Sequence, residues 1–181
     1  MRRVLVACTF LLFAVSIAIN VLQARRIQGL QDQMDLLRSR GALEAGKSVP
    51  TMDVSDATGR SMRLQFGNEP TILYVFSPSC HWCQQNAAAI RALAAQVKGR
   101  YHLVGVSLSS AGLEEFEKSE EMQFPVFLPK PESIRAYHLG GTPETIVLGK
   151  SGVVINSWRG AYVGGVHDDI EKTLSVKLPE I

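Results

Sequence analysis

Residues 71–86 read TILYVFSPSCHWCQQN, and this stretch decides the fold. Ile72 to Phe76 is a continuous apolar run, which is typical of a strand that is buried on both faces. Ser77-Pro78-Ser79 ends that strand and offers residues that cap the start of a helix. We therefore predict a buried strand that turns directly into a helix, with Cys80 at the exposed amino end of the helix.

The pair Cys80 and Cys83 carries the predicted chemistry. With two residues between them at the start of a helix, their side chains can reach disulfide distance without backbone movement. The amides and the dipole at this end of a helix favour the thiolate of Cys80, which we expect to be the attacking sulfur. Cys83 lies further into the turn, where it would be the resolving thiol that displaces a substrate from a mixed disulfide.

Other uses of a C-x-x-C pair fit this sequence less well. A structural zinc site needs four ligands, whereas a second cysteine pair is absent and His102, His138 and His167 are scattered. A c-type haem site needs histidine directly after the second cysteine, and Gln84 stands there. A purely structural disulfide would close a very small loop and add little stability. We therefore expect neither a metal nor an organic cofactor.

Outward from the cysteines, strand patterns alternate with helix patterns. They predict an opening hairpin, a strand–helix succession, a second hairpin and a closing helix, an order that indicates an α/β fold with a mixed sheet flanked by helices. The predicted strands are Met52–Ser55, Ser61–Phe66, Ile72–Phe76, His102–Ser107, Phe124–Leu128, Glu144–Leu148 and Val153–Trp158, and the predicted helices are Cys80–Lys98, Leu113–Met122, Ser133–Tyr137 and Val166–Val176.

A second motif, residues 140–162, reads GGTPETIVLGKSGVVINSWRGAY. Together with residues 71–86 and the amino-terminal apolar run, it resembles the TlpA/ResA-type thioredoxin-like proteins, which are membrane-tethered thiol–disulfide oxidoreductases of bacteria. The likeness covers roughly residues 47–178 and implies a thioredoxin-like fold. It also implies that Thr142-Pro143 is the family's cis-proline loop, which packs against the cysteines. The preceding glycine pair allows such a close approach, and a trans turn proline is the alternative.

Three positions depart from the family pattern. Many members carry a proton-handling glutamate three places after the second cysteine, where this chain has Asn86. The buried aspartate of thioredoxin lies six places before the first cysteine, and that position is Tyr74 here. The intervening pair is His81-Trp82, whereas proline is frequent in the second place. We expect His81, Trp82 and Asn86 to tune the cysteines. His81 would favour the Cys80 thiolate, with simple exposure as the alternative, and Asn86 would leave resolution without an internal base.

The amino-terminal part of the chain predicts a membrane anchor. Residues 4–22 are uncharged and almost entirely apolar, enough to span about 28 Å as a helix, close to the thickness of a bilayer core. A cleaved signal peptide is the alternative, with small residues at Ser16-Ile17-Ala18. The chain thus divides into three predicted parts, which are an anchor over residues 1–24, a helical linker over residues 25–46 and a thioredoxin-like domain over residues 47–181.

Charge and cysteine content bear on location. Residues 47–181 hold thirteen basic and fourteen acidic residues, so the domain lacks the basic surface that nucleic-acid binding requires. Arginines flank the anchor on both sides, and a simple count of them does not place the domain outside. Because cytosolic pools keep thiols reduced, the disulfide-competent pair nevertheless favours a domain in the periplasm or outside the cell.

The resemblance implies a role as a reductant. A protein of this family would take electrons from a membrane thiol donor and pass them to disulfides of exported proteins, such as apocytochromes. Two alternatives remain open: a thiol oxidase or isomerase with the same fold, and a non-catalytic module that holds a metal or a client protein. The reduction potential of the Cys80–Cys83 couple separates the first alternative from a reductant, and a mixed disulfide trapped on Cys80 excludes the second.

Overall fold

The apolar run at residues 71–76 forms one interior strand of a seven-stranded mixed sheet. The computed structural model describes residues 13, 15–30, 43–67 and 69–181. The strands are β1 Met52–Ser55, β2 Ser61–Leu64, β3 Thr71–Phe76, β4 His102–Ser107, β5 Val126–Pro129, β6 Glu144–Leu148 and β7 Val154–Arg159. The helices are α1 His81–Gln85, α2 Ala87–Val97, α3 Leu113–Ser119, α4 Pro131–Ala136 and α5 Gly164–Leu174, with a 3₁₀ turn at Lys150–Gly152. The strand order is β2-β1-β5-β4-β3-β6-β7.

Strand β3 lies between β4, to which it is parallel, and β6, to which it is antiparallel. Its side chains alternate between the two faces of the sheet. Leu73 and Val75 join the main apolar core, whereas Tyr74 and Phe76 stack on each other on the opposite face, where Phe76 also stacks on Phe116 of α3. Because both faces are covered, all six residues of the strand are buried.

The predicted mixed α/β architecture is confirmed, and both predicted hairpins form. In the first hairpin, the Asp56 carboxylate accepts the backbone N–H groups of Thr58 and Arg60 at 2.9 and 3.0 Å. An aspartate that satisfies the amides of its own turn in this way explains why the chain reverses there.

One predicted helix is divided in the structure, and the other predicted helices differ from the observed ones by up to three residues at their ends. The sequence predicts a continuous helix over Cys80–Lys98, but the structure divides it at Asn86 into α1 and α2. Asparagine is a weak helix former, and the side-chain oxygen of Asn86 accepts the backbone N–H of Tyr162 at 2.9 Å. A contact with a residue so distant in sequence is invisible to a pattern of helix propensities.

The amino-terminal part is helical over residues 15–30. Among the residues that the structure describes, no helix is both long enough and apolar enough to cross a membrane. The predicted anchor over residues 1–24 falls partly on residues 1–12 and 14, and the predicted linker over residues 25–46 falls partly on residues 31–42, all of which lie outside the described residues. The chain divides into two compact units, Met1–Arg38 and Ser39–Ile181.

Candidate active site

The cysteine pair lies where β3 leads into α1. Cys80 is the N-cap residue of α1, with an extended backbone at φ −81° and ψ 113°, and its N–H donates to the Ser77 carbonyl at 3.0 Å. The backbone N–H of Cys83 donates to Cys80 Sγ at 3.2 Å. The sulfur thus occupies the place that a serine or aspartate oxygen takes in an ordinary helix cap. A backbone dipole is therefore directed at the Cys80 sulfur, where it favours negative charge.

The two cysteines, both free thiols, differ in their environments. Cys80 is partly exposed, whereas Cys83 is only 1% exposed. Burial, followed by hydrogen bonding and charge from Cys80, raises the pKa of Cys83 to about 12, while the Ser77 backbone and the Thr142 side chain act to lower this pKa. Cys83 is therefore a neutral thiol near neutral pH, and the Cys80 sulfur is the accessible one.

The loop that contains Thr142 and Pro143 meets the cysteine pair. The peptide bond between these two residues is cis, as the family resemblance implied. Pro143 is buried, and the Thr142 side chain is close enough to Cys83 to lower the pKa of its thiol by hydrogen bonding. The Pro143 carbonyl accepts the backbone N–H of Gly160 at 2.8 Å, which ties the loop to the end of β7.

An ion pair with a buried carboxylate supports this loop, and the sequence reasoning missed it. Glu144 is fully buried directly after Pro143, and its carboxylate accepts hydrogen bonds from Arg159 at 2.9 Å and from Ser157 at 3.1 Å. The Arg159 side chain crosses Gly141 so closely that a Cβ there would lie 2.6 Å from Arg159 Cδ. The sequence did offer one signal, which is a glutamate at the start of an apolar strand. A carboxylate in such a strand is expected to be buried, and a buried carboxylate needs charged or hydrogen-bonding partners.

His81 and Trp82 lie on the outer side of α1. His81 is exposed, and its Nε2 lies 3.1 Å from Gln85 Nε2, so its side-chain hydrogen bond goes to Gln85 rather than to Cys80. Trp82 is 53% exposed, and its ring centroid lies 5.5 Å from that of His81. The two rings form an exposed aromatic surface beside Cys80.

The two positions that replace carboxylates of related proteins, Tyr74 and Asn86, are both buried and lie near Cys83. The Asn86 side-chain oxygen accepts the Tyr162 N–H, and the hydroxyls of Tyr162 and Thr145 lie 2.6 Å apart. Thr145 is directly opposite Tyr74 in the pairing of β6 with β3. Burial raises the pKa of Tyr74 well above its ordinary value, and proximity to Cys83 and Tyr162 adds to the rise, so the phenol stays neutral.

The histidines outside the C-x-x-C motif occupy separate elements. His102 begins β4, His138 follows α4, and His167 lies in α5. Over the described part of the chain, no three His, Cys, Asp or Glu side chains come together in a way that could hold a metal ion. The reactive groups that converge here are the two thiols.

Comparisons with known proteins add information at the level of fold. No model of a known protein family matches the chain, and no curated protein matches it in sequence. Among solved structures, the thioredoxin domain of a thiol-disulfide oxidoreductase from Bacteroides vulgatus is similar with a TM-score of 0.59 and 17% identity, over 74% of this chain and 99% of that one.

Two further solved structures are similar to this chain in fold. A thioredoxin-family thiol:disulfide interchange protein from Chlorobium tepidum has a TM-score of 0.58 and 19% identity, over 74% of this chain and 99% of that one. StoA from Bacillus subtilis has a TM-score of 0.55 and 20% identity, over 70% of this chain and 96% of that one. At such low identities the likeness establishes the fold, and the chain therefore has the thioredoxin-like fold that solved thiol–disulfide oxidoreductases share.

Proposed function

We propose that this chain is a membrane-tethered thiol–disulfide oxidoreductase, with its domain outside the cytoplasm, that reduces disulfides of exported proteins. The observation that carries the proposal is the arrangement of the two thiols. An accessible Cys80 caps a helix, a buried Cys83 lies one turn behind it, and the side chain of Thr142, beside the cis Pro143, lies against Cys83. The shared fold supports the same activity.

The geometry supports an exchange in two steps. The Cys80 thiolate attacks one sulfur of a client disulfide, a bond between Cys80 and the client forms, and the other client sulfur leaves as a thiolate. Cys83 then attacks the Cys80 sulfur, the Cys80–Cys83 disulfide forms, and the client sulfur departs and takes up the proton that Cys83 loses. The client gains two thiols, and a membrane thiol donor restores the Cys80–Cys83 dithiol by the reverse exchange.

The surroundings of Cys80 support a reducing rather than a strongly oxidising couple. Strong oxidants of this fold stabilise their reduced form and reach potentials of ~−120 mV. His81 is exposed and bonded to Gln85, so water screens any charge it carries, and Trp82 brings no charge. The side chains of His81 and Trp82 therefore add little stabilisation to a Cys80 thiolate. Because of this, we favour electron flow from the protein to clients such as apocytochromes.

The amino-terminal segment supports attachment to a membrane. Its apolar side chains are exposed where they are described, including Phe13, Ile17 and Leu22, and a bilayer would cover such a surface. Residues 4–22 are long enough to span the hydrocarbon core when helical. The Cys80–Cys83 pair favours a domain on the outer side of the membrane, because disulfides persist there.

Equilibration of the full chain with glutathione tests the direction of electron flow. A Cys8→Ser background leaves Cys80 and Cys83 as the only cysteines. We expect a reduction potential more negative than the ~−180 mV of an isomerase. A potential near ~−120 mV would contradict the reductant role and favour the thiol oxidase.

Trapping of clients tests the roles of the two thiols. Cys83→Ser should accumulate lasting mixed disulfides on Cys80, because the attacking sulfur stays accessible while the resolving thiol is lost. Cys80→Ser should accumulate none, because Cys83 is buried. Trapping only by Cys80→Ser would reverse the roles, and trapping by neither variant would favour the non-catalytic binding module.

A further inference from the structure

Tyr74, Asn86, Thr145 and Tyr162, called here the polar cluster, contain two donors whose hydrogen-bonding capacity is unused. Contacts within the cluster engage the Asn86 oxygen and the hydroxyls of Thr145 and Tyr162. The Tyr74 hydroxyl and the Asn86 amide nitrogen are buried, yet neither has a hydrogen-bond partner among the described residues. Leaving such groups buried and unsatisfied costs stability, so their retention calls for an explanation.

Both donors belong to elements that adjoin Cys83. Asn86 follows Cys83 by three residues at the end of α1, and Tyr74 lies on β3, the strand that leads into the motif. After burial, proximity to Cys83 is the largest influence that raises the pKa of Tyr74, while the nearby Asn86 side chain acts to lower it. Tyr74 is therefore a neutral O–H group near the sulfur, and Asn86 is an N–H donor near Tyr74.

We propose that Tyr74 and Asn86 are positioning residues that direct hydrogen-bond donors toward the negative charge that develops on the Cys83 sulfur when the mixed disulfide is resolved. This inference rests on the proposed function, since only a thiol-exchanging protein passes through that step. Neither a phenol nor an amide accepts a proton near neutral pH, so the pair donates hydrogen bonds and does not act as a base. Both donors are without a partner among the described residues, and this unused capacity is what they would offer to the charged sulfur.

The step that the donors assist is balanced in atoms and electrons. Cys83 loses its proton to water or a buffer base, and its sulfur attacks Cys80 Sγ. The Cys80–Cys83 bond forms while the bond between Cys80 and the substrate sulfur breaks, and the electron pair of that bond leaves with the substrate sulfur. This sulfur takes up a proton and departs as a thiol. Charge on a sulfur as buried as Cys83 is costly, so nearby donors lower the barrier.

Reaction of the reduced full chain with dithiobis(nitrobenzoate) separates the two steps. In the Cys8→Ser background, attack by Cys80 releases one thionitrobenzoate, and resolution by Cys83 releases the second. We expect Tyr74→Phe to leave the first release unchanged and to slow the second about tenfold at neutral pH, the size expected for one hydrogen bond to a developing charge. We also expect no fall in the urea concentration at the midpoint of unfolding, because the hydroxyl that Tyr74→Phe removes has no partner among the described residues.

Tyr137→Phe is the matched control. Tyr137 is equally buried, but its hydroxyl donates to the Pro50 carbonyl and its ring belongs to the main apolar core. This variant should lower the urea midpoint and leave both releases unchanged. A wild-type second release in Tyr74→Phe would overturn the inference, and so would equal slowing of both releases, which indicates general distortion. A wild-type protein that gives the first release and never the second would instead refute the proposed function.

Discussion

At the scale of single residues, two identical side chains acquire different chemistry from their surroundings. Cys80 caps a helix and is partly exposed, so it meets backbone donors and solvent. Cys83, three residues later, is enclosed, and its thiol is held in the neutral form. The proposed division into an attacking and a resolving sulfur rests on that difference, because the thiolate is the nucleophilic form and only an accessible thiolate can meet a protein disulfide.

The raised pKa of Cys83 predicts that resolution accelerates with pH. Burial, the largest cause of the raised pKa, persists when Cys80 is bound to a client, so Cys83 stays mainly neutral and its thiolate fraction should grow about tenfold per pH unit below that pKa. The second release of thionitrobenzoate should follow this slope from about pH 6 to about pH 9, because the neighbouring Tyr74 stays neutral over this range and Cys80 is then held in the mixed disulfide. A rate that levels off near neutrality would reveal a base at the site and contradict the expectation.

At the scale of elements, the site is assembled from the start of α1 and the loop before β6. The helix supplies both sulfurs and the loop supplies Thr142 and Pro143, while Glu144 anchors the loop to Arg159 of β7. The loop therefore depends on an ion pair whose carboxylate is buried, and removing the cation from such a carboxylate is far more costly than breaking a surface pair.

Gly141→Ala should weaken this support. The new Cβ would lie 2.6 Å from Arg159 Cδ and 2.8 Å from its Nε, so the guanidinium must shift relative to Glu144. We expect the free energy of unfolding to fall by roughly 2 kcal/mol, less than full loss of a buried partner because the arginine can adjust. Urea denaturation measures the change.

The neighbouring glycine offers a control for that substitution. A Cβ at Gly140 meets no atom within 4 Å, so Gly140→Ala should change the free energy of unfolding by no more than about 0.5 kcal/mol. Equal losses in the two variants would show that the loop responds to any added side chain, and would contradict the specific role assigned to the contact with Arg159.

At the scale of the whole molecule, the proposal requires a domain on the far side of a membrane. A reporter enzyme that needs disulfides for activity, fused after Ile181, should be active in cells, because the proposed anchor would export everything that follows it. Activity of a reporter that works only in the cytoplasm would place the domain inside. The arginines that follow the predicted anchor, including Arg25 and Arg26, make this a stringent test.

The fold and the position of the cysteine pair could be predicted from the sequence because their signals are local. The apolar run at residues 72–76, the break at Ser77-Pro78-Ser79 and the spacing of Cys80 and Cys83 each involve neighbours along the chain. Hydrophobic periodicity and turn residues express such short-range preferences directly. The order of strands and helices, and the position of the cysteines at the start of a helix, follow from them.

Only the tertiary structure decided the contacts between residues that are distant in sequence. Asn86 interrupts a helix because its side chain bonds to Tyr162, which lies 76 positions away. Tyr74 approaches Thr145 because of the register between β3 and β6. The sequence by itself determined where the two sulfurs lie relative to each other and to the start of the helix, since helix position and spacing are local properties. Strand register and the position of the Thr142–Pro143 loop decide which protein groups surround the Cys83 sulfur. No local sequence pattern encodes either of them.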